Sequence, residues 1–120
     1  MANEIKTDIR LIASKGGMEV DRREQKSDIT MTGDSMTHAV IEVTNSGGEV
    51  LVEANELGSA GLVFLKNLDS TNYVTFGTHA TDNHTVKLLA GESCLFRAAN
   101  AVYGLANTAA CNVEYIIIEV

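Results

Sequence analysis

Apolar and polar side chains alternate with a period of two along most of this chain, and proline is absent. In residues 5–13, for example, Ile5, Ile9 and Leu11 share one parity, while Lys6 and Arg10 take the other. Successive side chains of a strand point to opposite faces, so this alternation predicts β-strands rather than helices. Glycine, asparagine, aspartate and serine separate the alternating runs and supply the turns in place of proline.

The alternating runs predict strands over 5–13, from Met18 to Val20, and over 27–32, 37–44, 49–54, 61–68, 72–77, 86–89, 93–98, 102–106 and 112–120. The turn signal at 45–48 predicts that 37–54 is a hairpin. The last run is apolar on both faces, which indicates a central strand or a face committed to a partner. Short strands about ten residues apart predict one domain over 1–120, an antiparallel β-sandwich of jelly-roll type with about eight strands.

Charge is distributed unevenly along the chain. Residues 1–33 carry six basic and six acidic side chains, whereas residues 34–120 carry three basic and ten acidic ones. The larger part would repel a phosphate backbone, so we expect no nucleic-acid partner. The one locally basic run is 22–26, which we interpret as a solvated turn neutralised by neighbouring acidic residues.

No segment predicts secretion or membrane insertion. The first ten residues lack the apolar stretch of a signal peptide. The longest apolar run, Tyr115–Ile118, is far shorter than the roughly 20 residues that span a bilayer. We therefore expect synthesis in a cytoplasm and no membrane partner. In such a reducing compartment Cys94 and Cys111 are expected to be buried thiols rather than a disulfide.

Candidate catalytic and metal-binding residues do not form a recognisable pattern. His79 and His84 flank Asp82 in a polar loop over 78–85, and two histidines with a carboxylate can ligate zinc or iron. Nothing in a polar loop fixes such a geometry, so we interpret these residues and His38 as solvated histidines. Residues 91–94 lack the second glycine of a nucleophile elbow. We expect no enzyme activity, no catalytic residue, no metal and no cofactor.

The aromatic side chains all lie within or beside apolar strand patterns. An exposed aromatic platform would indicate binding of sugars or single-stranded nucleic acid. The observed pattern instead predicts that the aromatic residues pack in the core: Phe64, Tyr73, Phe76, Phe96, Tyr103 and Tyr115.

Several corner motifs lie in the second half of the chain. They are GLVFLKNLD (61–69), TNYV and FG (71–77), LLAGE (88–92), LFR (95–97), and ANTAAC followed by VEY (106–115). Asparagine side chains at Asn67 and Asn72 can bond neighbouring backbone groups at the corner, and Gly77 and Gly91 occupy turns where a side chain would be costly. Over residues 37–120 these motifs resemble a family of small bacteriophage virion structural proteins. This chain has Ala90 where that family usually has proline.

The resemblance implies a capsid decoration (cement) protein of the virion, which is assembled in the host cytoplasm, binds the major capsid protein, stabilises the head and forms a homo-oligomer. Residues 1–33 are then an N-terminal arm that reaches the shell, or the first strands of the sandwich. The predicted partner-binding residues are Arg22, Arg23, Lys26, Ile116 and Ile118.

The amino-acid sequence leaves three alternative functions open. The first is a phage tail, collar or fibre-base component. The second is a carbohydrate-binding jelly-roll module, which predicts exposed aromatic side chains and a cleft among the loops 78–85 and 98–110. The third is a small cupin-like enzyme, which predicts a stoichiometric metal.

Overall fold

The computed structural model describes residues 4–31, 36–46, 49–52, 61–80, 82–99 and 101–119, which form ten β-strands and no helix. Within these ranges there is accordingly no helix with the length and apolar character needed to cross a membrane. The chain divides into two compact units, Met1–Thr32 and Gly33–Val120. The boundary lies beside the end of the predicted arm.

The first unit is a two-stranded antiparallel hairpin of β1 (Ile5–Lys15) and β2 (Met18–Ile29). Gly16 and Gly17 close it with φ values of 60° and 109°, which glycine adopts without strain. The interpretation of 22–26 as a turn is wrong, because the chain reverses at these two glycines. Residues 22–26 instead lie within β2 and pair with residues 7–11.

The described residues of the second unit form eight strands. They are β3 (Met36–Val43), β4 (Glu49–Val52), β5 (Leu62–Asn67), β6 (Val74–Gly77), β7 (His84–Leu88), β8 (Ser93–Arg97), β9 (Val102–Ala106) and β10 (Cys111–Ile118). They form two antiparallel sheets, β3-β10-β5-β8 and β4-β9-β6-β7. The chain crosses from sheet to sheet at every connection except β6–β7, and the first and last strands are neighbours. This order is that of a jelly roll, so the predicted antiparallel sandwich is confirmed.

The prediction of a hairpin over 37–54 is wrong. β3 pairs with β10, from Met36 opposite Ile118 to Val43 opposite Cys111, whereas β4 pairs with β9 in the other sheet. β3 and β4 therefore lie in different sheets, and residues 47–48 of the turn signal lie outside the described residues. The expected central position of the last strand is confirmed, because β10 lies between β3 and β5.

Side chains from the inner faces of both sheets form one core. Its fully buried members include Val63 and Leu65 from one sheet and Val74 and Phe76 from the other. Among the aromatic residues, Phe76 is in the core and Phe96 and Tyr115 pack against it. The core prediction is wrong for Phe64, Tyr73 and Tyr103, which are half-buried outside it. Alternation identifies two faces of a strand without saying which one is turned inward.

One end of the sandwich is held by a buried asparagine. The side-chain nitrogen of Asn67 donates to the carbonyls of Asn72 (2.9 Å) and Leu88 (3.1 Å), and its side-chain oxygen accepts from the amide of Asp69 (2.9 Å). The Asp69 carboxylate accepts from the amides of Asn72 and Thr71, which lowers its pKa. The expected role of Asn67 at the corner is therefore confirmed.

The two glycines of the corner motifs are required for different reasons. A Cβ atom on Gly77 would lie 2.6 Å from the carbonyl oxygen of Asn83, so a side chain there collides with backbone. Gly91 has open space around it but a φ of 81°, which is costly for other residues. Gly91 lies in a turn, as the sequence predicts, whereas the prediction of a turn at Gly77 is wrong, because Gly77 is the last residue of β6 and pairs with His84 and Tyr103.

Candidate interaction surfaces

The outward side chains of β3-β10-β5-β8 form a surface that we call the outer sheet face. Paired residues of neighbouring strands share a face, so the register arranges these side chains in rows across the sheet. The three rows, read from β3 to β8, are Met36-Ile118-Leu62-Arg97, His38-Ile116-Phe64-Leu95 and Val40-Glu114-Lys66-Ser93.

Most side chains in the first two rows are apolar, with His38 and Arg97 on opposite edge strands. Met36 and Val40, on the edge strand β3, are 63% and 57% exposed, whereas Ile116, Ile118 and Phe64 are half-buried. Single exposed apolar residues are common on proteins, but a contiguous patch with a polar border marks an interaction site. The outer sheet face has this character.

The charges on the outer sheet face are separated into two halves. Glu114 lies on the β3–β10 half, where its carboxylate is 2.7 Å from Nε2 of His38. Lys66 and Arg97 lie on the β5–β8 half, and within the described residues neither has an ion-pair partner. These are two of the three basic residues of 34–120, and against Glu42 and Glu114 on the same outward side they give the face equal numbers of basic and acidic side chains in an otherwise acidic unit.

The outer face of β4-β9-β6-β7 carries more polar side chains, and these are engaged with one another. Nδ1 of His84 is 2.8 Å from the Thr75 hydroxyl, and its Nε2 is 2.7 Å from the carbonyl of His79. The Lys87 ammonium lies 4.1 Å from the centre of the Tyr73 ring, a cation–π contact. The polar side chains of Thr75, His84 and Lys87 on this face are thus engaged by neighbouring groups.

One face of the hairpin carries a ladder of ion pairs. Arg10 donates twice to Asp21 at 3.2 Å, and Nε of Arg23 donates to Asp8 at 2.9 Å. The Arg23 hydrogen bonds lower the pKa of the Asp8 carboxyl. Bidentate pairs of this kind fix side-chain geometry, although exposed pairs contribute little to stability. Ile12, 60% exposed, shares this face.

The opposite face of the hairpin, which we call the apolar arm face, carries Ile9, Leu11, Ala13, Met18 and Val20. Leu11 is 62% exposed and Met18 74% exposed. A two-stranded hairpin is at best marginally stable in water without a further layer against its apolar side. The apolar arm face therefore has the composition of a docking surface.

The predicted basic patch does not form one surface. Arg22 and Lys26 lie on the apolar arm face, where they pair with Glu24 and Asp28, whereas Arg23 lies on the ion-pair ladder. Neighbours in sequence point to opposite faces of a strand, so a basic run in a strand is divided between them.

The predicted Ile116 and Ile118, in contrast, lie together on the outer sheet face. Sequence reasoning missed their apolar neighbours on the other three strands: Met36, Val40, Leu62, Phe64 and Leu95. The alternation within each strand contains the signal for these residues, but the signal is usable only when the pairing of the strands is known.

Within the described residues, the candidate metal-binding histidines and the two cysteines do not form one cluster. His38 is beside Glu114, while Nε2 of His84, the first residue of β7, lies 2.7 Å from the backbone carbonyl oxygen of His79. In the described ranges no three His, Cys, Asp or Glu side chains are grouped as a metal site would need. Cys111 is buried and Cys94 half-buried, both as free thiols, and burial raises the pKa of each.

A cleft of about 290 Å³ opens between the sheets beside the loops for which the carbohydrate alternative predicts one. Its lining is mainly apolar, with Phe76, Val86 and Phe96 among its members, and the hydroxyl residues Thr78 and Thr85 at its border. Phe76 is fully buried and Phe96 half-buried, so the cleft differs from an exposed aromatic platform.

Comparisons of the chain with protein-family models, curated proteins and solved structures find no match. Jelly rolls occur in viral capsid proteins, lectins and cupins alike. The fold by itself therefore selects no activity, and a function has to be argued from the surfaces.

Proposed function

We propose that the protein is a structural subunit of a bacteriophage particle, a capsid decoration protein that binds the major capsid protein and stabilises the head. The observation that carries the proposal is the apolar arm face. It presents Ile9, Leu11, Met18 and Val20 to solvent on a hairpin with no second layer among its own described residues. A hairpin of this kind gains stability when a partner covers that face.

Charge supports the assignment of the arm as the part that contacts the shell. Residues 1–33 have equal numbers of acidic and basic side chains, whereas residues 34–120 have seven more acidic than basic ones. The arm can approach another protein without net repulsion. The acidic jelly roll, facing solvent, keeps decorated particles apart.

In the proposed mechanism, the apolar arm face packs on the major capsid protein and the ion-pair ladder faces away from it. The ladder joins β1 to β2 and stays in water when the apolar arm face is covered, so binding buries none of its charges. Both strands of the hairpin are also edge strands, which can extend pairing into a neighbouring sheet. Repetition over the lattice makes weak single contacts effective.

The test compares two substitutions of matched residues on opposite faces of the arm. Leu11→Glu places a charge on the apolar arm face, and Ile12→Glu places one on the ladder face; the two residues are 62% and 60% exposed. Binding of each full-length variant to undecorated heads of the encoding phage is measured by co-sedimentation. We expect Leu11→Glu to lose at least about tenfold in affinity and Ile12→Glu to bind nearly as the wild type does.

The outcomes distinguish failure of the proposed arm contact from failure of the proposed decoration role. Equal binding by both variants would show that the apolar arm face is not the contact. A wild-type protein that does not bind the heads at all would refute the decoration role itself. Circular dichroism of each variant confirms that the strands are retained.

Copy number distinguishes a decoration protein from a tail, collar or fibre-base component. Quantitative mass spectrometry of purified particles should find hundreds of copies for a decoration protein, on the order of the capsomer number of a lattice. A count near six or twelve would instead assign the chain to the tail or a vertex.

A further inference from the structure

We propose that the outer sheet face is a two-fold interface between two copies of this chain. The pattern that carries the inference is the division of the rows: an acidic half on β3–β10, a basic half on β5–β8, and apolar side chains across both. A surface that binds its own copy through a two-fold axis must be complementary to itself.

Consider two such faces packed with the two-fold axis parallel to the strands. Each row then meets the same row of the second copy in reverse order, so β10 lies over β5 and β3 lies over β8. Ile116 faces Phe64 of the second copy, and Ile118 faces Leu62. Glu114 faces Lys66 of the second copy, and the symmetry makes this ion pair twice. The strands of the two facing sheets are then nearly aligned, and this kind of packing is common in β-sandwiches.

The alternative axis, perpendicular to the strands, does not fit. It places β10 over β10, so Glu114 lies opposite Glu114 or opposite an apolar residue such as Ile118. Both arrangements are costly, since the first brings like charges together and the second buries an unpaired carboxylate. The charges therefore select the axis parallel to the strands.

Net charge restricts where two copies can meet. Residues 34–120 are strongly acidic, so most surfaces of the jelly roll repel their equivalents in a second copy. The outer sheet face holds Lys66 and Arg97, two of the three basic residues, and is the balanced part of this unit. Close approach of two jelly rolls is favoured there.

The area of the outer sheet face predicts a dimer of modest affinity. Four strands spaced about 4.8 Å apart, with three rows about 7 Å apart, present roughly 400 Å² of projected surface. Stable interfaces bury about 800 Å² on each partner, so this contact has about half the standard size and falls among weak, transient ones. We therefore expect a dimer that dissociates on dilution through the micromolar range.

The first experiment is sedimentation velocity of the full-length protein over a concentration series. Wild type should pass from monomer to dimer, and Ile116→Asp should remain monomeric, with self-association weakened at least about tenfold. Leu105→Glu is the matched control, because Leu105 is a half-buried residue of the other sheet and faces outward opposite Thr75. It should dimerise as the wild type does.

A charge-exchange experiment tests the axis. Lys66→Glu and Glu114→Lys should each weaken self-association several-fold, whereas an equimolar mixture of the two variants should form a heterodimer in which both ion pairs are intact. Lys66 and Glu114 are also neighbours within one sheet. Mixing two chains cannot repair an effect confined to that sheet, so recovery on mixing reports the contact between copies.

Two results would overturn the inference. One is a wild-type protein that stays monomeric through the millimolar range. The other is a dimer that survives Ile116→Asp or shows no recovery when the two charge variants are mixed. These measurements need no capsid and concern the jelly roll alone, so they succeed or fail independently of the proposed function.

Discussion

The hairpin and the jelly roll are built from the same alternation but use it differently. Leu65 on β5 is fully buried, because the second sheet covers its face, whereas Leu11 on β1 is 62% exposed. Ile12, on the other face of the hairpin, is 60% exposed. The jelly roll therefore has a buried core between its two sheets, whereas the hairpin leaves large apolar side chains exposed on both of its faces.

The polar contacts of Asn67 in the jelly roll and of the ion-pair ladder in the hairpin also differ in burial. In the jelly roll, Asn67 is fully buried and all its described hydrogen bonds go to backbone groups of the corner. In the hairpin, Arg10, Asp21 and Arg23 form exposed pairs. A buried polar hub specifies a fold because losing it leaves backbone groups unpaired in a dry environment, while water replaces an exposed ion pair.

The largest expected effect comes from truncating an apolar side chain in each unit. Leu65→Ala should lower the free energy of unfolding by about 3 kcal/mol, because it opens a cavity between the sheets. Leu11→Ala should change it by less than about 0.5 kcal/mol, because the side chain is in water. Urea denaturation followed by circular dichroism measures both. A large loss for Leu11→Ala would mean that the apolar arm face is covered within the free protein.

The next effect concerns the buried asparagine. Asn67→Ala should lower the free energy of unfolding by about 2 kcal/mol, since the carbonyls of Asn72 and Leu88 lose their donor. Arg23→Gln, which breaks an exposed pair of the hairpin, should leave the urea midpoint within experimental error. If both variants unfolded at the same urea concentration, the contrast between the hub and the ladder would be refuted.

The smallest effect is a dependence of stability on pH. Backbone amides of Asn72 and Thr71 hold the pKa of Asp69 below its ordinary value of 3.8. A carboxyl with a lowered folded-state pKa stabilises the fold above its unfolded-state pKa, and this contribution is lost as the pH falls through the folded-state value. Wild type should therefore lose more stability than Asp69→Asn between about pH 5 and pH 2.5. If wild type and Asp69→Asn lost the same unfolding free energy over this pH range, measured by urea denaturation, this role of Asp69 would be contradicted.

Several features were predictable because they are local. The glycines at 16–17 and 91 have positive φ, as turns require, and the corner asparagine bonds the backbone beside it. The strands from β5 to β10 lie close to their predicted ranges, since each has its own alternation and its own turn residues. The jelly-roll class followed from the number and spacing of these strands.

The amino-acid sequence by itself determined where the strands from β5 to β10 form, where the chain turns at Gly16 and Gly17, and that Ile116 and Ile118 share one side of the last strand. Tertiary structure alone decided that β3 pairs with β10 rather than β4, and that Arg22 and Arg23 serve different faces of the hairpin. It also placed Phe64 beside Ile116 on the outer sheet face instead of in the core. The physical reason is that a period of two defines two faces for every strand, while pairing between distant strands decides which face is buried.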